Sequence, residues 1–152
     1  MVTNKCRGGG LAHRGKQCLP RFALVSVLLS FVSACGELPY NNLDNAQLQT
    51  LLQQHVPIYD IRRAEEWRQT GIIESSELLT FVDATGRVRP DFLQRFTTAV
   101  GKHDPVILIC LTGSRTRALA RQLTEQMGYT QVYNVRNGIS QWIREGRAVA
   151  RP

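Results

Sequence analysis

Cys110 closes the apolar run Val106-Ile107-Leu108-Ile109 and opens the segment Cys110-Leu111-Thr112-Gly113-Ser114-Arg115, directly ahead of a helix-patterned stretch. A strand that hands a thiol to a short loop at a helix start offers backbone N–H groups converging at the positive end of that helix. Such a nest attracts anions and favours thiolate over thiol. The chemistry it suits is a nucleophilic sulfur, Cys110, meeting an anionic substrate held by Leu111, Thr112, Gly113, Ser114 and Arg115. Gly113 permits the tight turn. Thr112 and Ser114 add hydroxyls at the rim or cap the helix, and Arg115 supplies a positive charge. The competing reading of Cys110 is an inert core cysteine, a common fate of that residue.

The elements that must position this loop are legible from periodicity and punctuation. A short strand is expected near Tyr40 to Leu43. Asp44 and Gln47 form a capping-box start for a helix with Leu48, Leu51 and Leu52 at helical spacing. Val56 to Ile61 reads as a strand and Arg63 to Thr70 as a helix stopped by Gly71. Glu77 to Phe81 reads as a strand, with a turn at Thr85-Gly86. Pro90 starts a helix with Phe92, Leu93, Phe96 and Val100 on one side. Pro105 to Cys110 is apolar without alternation, as expected of a parallel strand covered on both faces. Leu119, Leu123 and Met127 stripe the next helix, which ends at Gly128. Gln131 to Val135 is a further strand, and Ile139, Trp142 and Ile143 mark a last helix closed at Gly146. Alternating strands and helices predict one α/β domain, a central parallel sheet flanked by helices on both faces. Its site lies at the carboxyl ends of the strands, where Asp60 and Cys110 fall.

The opening of the chain reads as an address. Lys5, Arg7, Arg14, Lys16 and Arg21 come without an acidic residue, then the apolar run Phe22 to Val32, shorter than the roughly 20 residues a bilayer span needs. Val32-Ser33-Ala34-Cys35 resembles the bacterial lipobox, which implies cleavage after residue 34 and lipidation of Cys35; an ordinary signal peptide is the alternative. The expected organisation is a cleaved leader over 1–34, a lipidated cysteine and tether over 35–43, and a domain over 44–149. The expected location is a bacterial membrane surface after export, the outer membrane facing the periplasm. The tether from Gly36 to Asn42 reaches roughly 20–25 Å, which would keep the domain's site close to the lipid. Five of the 19 Lys and Arg precede Cys35, leaving 14 to face 12 Asp and Glu. The mature net charge is then near +2, with no basic run, and nucleic acid is set aside as a partner. Cys110 becomes the one free thiol of the mature chain, because Cys6 and Cys18 leave with the leader.

The strand, the Cys-x-x-Gly-x-Arg loop and the helix together resemble a single-domain rhodanese, a sulfurtransferase family, over most of Tyr40 to Val149. Asp60-Ile61-Arg62, Glu65-Glu66-Trp67, Gly71-Ile72, Gly128-Tyr129, Val132, Asn137-Gly138 and Trp142 through Gly146 carry the rest of the likeness. The resemblance implies a double displacement. Cys110 takes sulfur from a donor such as thiosulfate as a persulfide, and a nucleophilic acceptor of unassigned identity removes it. The family's common Arg after the cysteine is Leu111 here, its His after Gly71 is Ile72, and the first Gly of the late pair is Asn137, a residue compatible with a left-handed turn. The alternative function is a membrane-tethered persulfide carrier or protein-binding module of the same fold, weak in catalysis. Cys-dependent phosphatases and arsenate reductases need Cys-x5-Arg, and Thr116 stands where that arginine would be.

Asp60 and Arg62 are expected to brace the site floor as a charge pair, and Glu65-Glu66 to lie on a solvated helix face. Arg117, Arg121 and Glu125 suit an exposed ion-paired face, and Trp67 and Trp142 the core. His55 and His103 lack metal spacing, and no metal or cofactor is assigned.

Overall fold

Strands alternate with helices through residues 38–152, the part of the chain that the computed structural model describes. In order they are β1 (Asn41–Leu43), α1 (Asn45–Gln53), β2 (Ile58–Asp60), α2 (Ala64–Thr70), β3 (Glu77–Leu78), α3 (Phe92–Ala99), β4 (Val106–Ile109), α4 (Ser114–Met127), β5 (Val132–Val135) and α5 (Gly138–Arg144). The leader expected over 1–34, the lipidation expected at Cys35 and the start of the expected tether lie outside the described residues.

β4 is the centre because it carries no polar side chain and needs cover on both faces. All four of its residues are buried. It pairs in parallel with β2 on one side and β5 on the other, Ile107 facing Ile58 and Tyr133. β1 and β3 extend the sheet outward to the order β1-β5-β4-β2-β3, every pair parallel. Alternation along β4 splits its side chains between two cores. Val106, Leu108 and Cys110 pack with Phe92 and Phe96 of α3 and Leu119 and Leu123 of α4. Ile107 and Ile109 pack with Leu48 of α1 and Ile139 and Trp142 of α5. Fully burying one such side chain contributes about 1.5–3 kcal/mol. Phe96 meets Tyr59 edge-on with ring centroids 5.2 Å apart. The α/β class, the parallel sheet and the covering of both faces are as the sequence predicts.

Local signals hold at most boundaries. Asp44 accepts from the Gln47 N–H at 2.9 Å while the Gln47 side chain accepts from the Asp44 N–H, closing the capping box of α1. Gly128 ends α4 in the left-handed region. Several ends shift by a residue or two, β2 starting at Ile58 where the sequence predicts Val56, and two differ for reasons outside the local pattern. β3 pairs only through Leu78, although Leu79 and Phe81 continue beside the exit of β2 by donating to the carbonyls of Asp60 and Ile61. α3 begins at Phe92 and not at Pro90, because the Arg89 N–H is committed to the Phe81 carbonyl in a short antiparallel excursion bridged at Val82 and Val88. Ile143, a third of a turn around α5 from Trp142, lies outside the core at 38% exposure. Among the described residues no helix is long and apolar enough to cross a membrane.

Candidate functional site

Cys110 is wholly buried at the end of β4, and the loop that follows folds back over its sulfur. The Gly113 N–H donates to Sγ at 3.2 Å. That approach requires Gly113 at φ +85°, and a Cβ there would stand 2.1 Å from the Arg136 carbonyl oxygen, so only glycine fits. From below, Ile139 and Ser140 at the start of α5 donate to the carbonyls of Cys110 and Leu111. Gly138 makes that contact possible, since a Cβ would lie 2.4 Å from both oxygens. The left-handed residue of the Asn137-Gly138 pair is therefore Gly138, while Asn137 sits at φ −110°.

Among the described residues the N–H groups of Leu111, Thr112, Ser114 and Arg115 donate to no protein acceptor. They are the orphan donors of the loop and the first turn of α4, the partial positive charge expected at a helix start. Thr112 and Ser114 are exposed, with hydroxyls 3.3 Å apart, and neither caps α4, whose N-cap is Gly113. They furnish the rim. Leu111 packs against the α1 and α5 side of the core.

Arg115 does not stand free. Its guanidinium makes a two-pronged ion pair with Glu66, one bond at 2.8 Å, with side-chain exposures of 23% and 12%. Burial pushes the Glu66 carboxyl up, but bonds from Arg115 and the Arg63 N–H, with the charges of both arginines, outweigh it and hold the group at about 2. Arg115 is raised in turn, by its bond to Glu66 first, against burial, with the charges of Glu66, Cys110 and Asp60 adding. The expected solvated Glu65-Glu66 face is thus half right. Glu65 is exposed, while Glu66 reaches inward from α2 to the loop, a pairing 49 residues apart in the chain.

Asp60 and Arg62 form the expected pair. Both side chains are fully buried, 2.6 Å apart. A buried ion pair repays its desolvation only when its remaining donors are satisfied. Here Arg62 also donates to the Thr70 hydroxyl at 2.6 Å and the Gly71 carbonyl at 2.8 Å. Asp60 sits in register with Ile109, one residue before the thiol. The pair therefore fastens α2 to the carboxyl end of the sheet, where Cys110 follows the central strand, and α2 presents Glu66 to Arg115.

Thr116 escaped the sequence reading, which treated it only as a missing arginine. It is fully buried, donates to the Gly113 carbonyl at 3.2 Å and stands 3.5 Å from Cys110 Sγ. The available signal was position: it falls on the inward side of the first turn of α4, one helical turn before Leu119 and Ala120. Trp142 is in the core as expected, its indole N–H bound to the Ala148 carbonyl, whereas Trp67 is half-buried on α2 and belongs to neither core cluster. Arg121 and Glu125 pair at 3.6 Å on the exposed face of α4. Grooves of about 560 and 550 Å³ lie elsewhere and do not reach Cys110.

A family model described as Rhodanese-like domain matches residues 44–145. Over 96 residues the chain is 33% identical to Protein HIGH ARSENIC CONTENT 1, mitochondrial, of Arabidopsis thaliana, covering 61% of this chain and 56% of that one. Over 52 residues it is 42% identical to the thiosulfate sulfurtransferase GlpE of Actinobacillus pleuropneumoniae serotype 3 (strain JL03), covering 34% and 47%. The chain spans about half the length of these curated relatives. Among solved structures, the polysulfide-sulfur transferase homodimer of Wolinella succinogenes aligns with a TM-score of 0.59 at 19% identity, over 74% of this chain and 79% of that one. A rhodanese-related protein of Thermoplasma volcanium aligns at 0.58 and 23% identity, over 74% and 100%. At those identities the likeness is one of fold.

Proposed function

The chain belongs to the rhodanese-like domain family, and from that premise we propose that it transfers sulfane sulfur through a persulfide on Cys110. The observation that carries this reading is the buried Sγ bonded by the Gly113 N–H inside a loop whose other N–H groups lack acceptors. Cys110, as thiolate, attacks the outer sulfur of thiosulfate or another sulfane-sulfur donor. The donor's sulfur–sulfur bond breaks, and sulfite or the corresponding leaving group departs with the electron pair. The persulfide that forms puts its charge on the outer sulfur, where the orphan N–H groups of Leu111, Thr112, Ser114 and Arg115 can meet it. A thiophilic acceptor then attacks that sulfur and returns Cys110 as thiolate. In this reading Asp60 and Arg62 support the site and take no part in the chemistry. Sulfur transfer in named relatives supports the general activity.

The test is intact mass followed by peptide mapping after incubation with thiosulfate. A gain of about one sulfur atom on the Cys110 peptide is expected, reversed by cyanide. Mass gain without turnover to any acceptor would favour the carrier reading, and no gain from thiosulfate or from a thiol persulfide would overturn the assignment.

Location belongs to the same proposal. A leader over 1–34, a lipidated Cys35 and a short tether, ending at β1 (Asn41–Leu43) where the sequence predicts a tether to residue 43, would leave the domain on a membrane surface after export, with periplasmic sulfur acceptors if the membrane is an outer one. The basic, acid-free start, the apolar run and Val32-Ser33-Ala34-Cys35 support it. Two acyl chains or more would make the attachment stable.

A further inference from the structure

We propose that Glu66 sets the donor class of this site: by neutralising Arg115 it disfavours dianionic donors such as thiosulfate and leaves Cys110 to draw sulfur from a thiol persulfide, R–S–SH. This rests on the Cys110 persulfide reading above. Two guanidinium groups face the loop, and each has a carboxylate partner; a third, Arg63, 37% exposed, shares the second carboxylate. Arg62 is locked to Asp60 beneath the loop. Arg115 is locked to Glu66 by two bonds beside it, and Arg63 turns to the same carboxylate at 3.5 Å. The remaining rim is uncharged: Leu111 partly buried against apolar side chains, Thr112 and Ser114 exposed hydroxyls. Arg136, next to the loop through its carbonyl, is exposed, where solvent and salt screen its charge.

A thiolate approached by a dianion needs unpaired positive charge to offset the repulsion, and the paired arginines supply little. A thiol persulfide brings at most one negative charge on its reacting group. Its organic portion can lie on Leu111, and its leaving sulfur can develop charge against the loop N–H groups. The step balances as an exchange: Cys110–S⁻ attacks the outer sulfur of R–S–SH and the inner S–S bond breaks. R–S⁻ leaves with the electron pair and takes the proton, giving R–SH and Cys110–S–S⁻.

The experiment measures kcat/KM on the full-length protein for thiosulfate and for hydroxyethyl persulfide, with cyanide as common acceptor and the Cys110→Ser rate subtracted. The wild type is expected to favour the persulfide by about tenfold or more. Glu66→Gln, which frees the Arg115 charge, should raise the thiosulfate value about fivefold and make it fall with added salt, narrowing the ratio. Leu111→Arg, which adds an unpaired cation at the rim without touching the Glu66 pair, should narrow it independently should Glu66→Gln fail to fold. Equal use of both donors by the wild type, or a ratio unmoved in every variant that folds, would overturn the proposal. Absence of Cys110-dependent transfer from either donor would instead overturn the sulfur-transfer reading beneath it.

Discussion

At the scale of single residues, the site joins the buried Cys110 thiol to neighbours that contact its sulfur, the Gly113 N–H and the Thr116 hydroxyl. Cys110→Ser keeps the size and the Gly113 N–H contact, so circular dichroism and melting should stay near wild type while sulfur uptake is lost. Equal uptake in the two proteins would remove Cys110 from the chemistry. Thr116→Val preserves shape but deletes the hydroxyl 3.5 Å from Sγ. The single hydroxyl proton is donated to the Gly113 carbonyl. Its swing to the sulfur as persulfide discharge regenerates thiolate would gain only the difference between a neutral and a charge-assisted bond, about 1 kcal/mol, so Thr116→Val should slow single-turnover discharge a few-fold. The Glu66–Arg115 pair predicts an acid signature. Glu66 is held at about 2, below its ordinary 4.5. Its contribution is therefore present in full above pH 4.5 and is lost as pH falls toward 2. The urea-midpoint difference between wild type and Glu66→Gln should be constant above about pH 5 and close on acidification; a difference independent of pH would show that the pair adds no stability.

At the scale of elements, the loop depends on two glycines that let β4, β5 and α5 come together. Gly113→Ala drives a Cβ into the Arg136 carbonyl, and Gly138→Ala into the carbonyls of Cys110 and Leu111. Both start from positive φ, so each should destabilise by more than about 1 kcal/mol and lower sulfur uptake with it. Gly128→Ala serves as the comparison, because it shares the positive φ but meets nothing within 4 Å. Chemical denaturation of the three variants should rank Gly128→Ala mildest. α4 is held to the sheet by Leu119 and Leu123, both fully buried. Leu123→Ala should cost about 2–5 kcal/mol, far from the thiol, and so separate loss of stability from loss of chemistry.

At the scale of the whole molecule, parallel strands give the domain two unlike ends. Cys110 and Asp60 lie where strands finish, and the chain enters β1 at the end where strands begin. The proposed lipid at Cys35 would tether the domain through its amino-terminal side, ahead of β1. After salt washing, wild type should sediment with membranes and Cys35→Ala should not. Wild type in the soluble fraction would refute the anchor. Both forms should take sulfur from soluble thiosulfate at the same rate.

The architecture was legible because it is written in short-range patterns. The unbroken apolar run Val106–Ile109, the capping box at Asp44 and the stops at Gly71 and Gly128 each act within a few residues, and the sequence states them directly. The Cys110 loop was legible for the same reason: strand, thiol, glycine and helix are contiguous. By itself the sequence also determined that Asp60 and Arg62 would pair, two residues apart at a strand end. What only the tertiary structure decided are meetings between distant parts. Glu66 neutralises Arg115 because the buried Arg62 fastens α2 against the sheet, a relation no local pattern encodes. Thr116 faces the sulfur, and Gly138 instead of Asn137 takes the left-handed turn, because α4 and α5 close on the end of β4 from opposite faces. Local chemistry chose the elements, and packing of the two cores chose which side chains each element brought to the thiol.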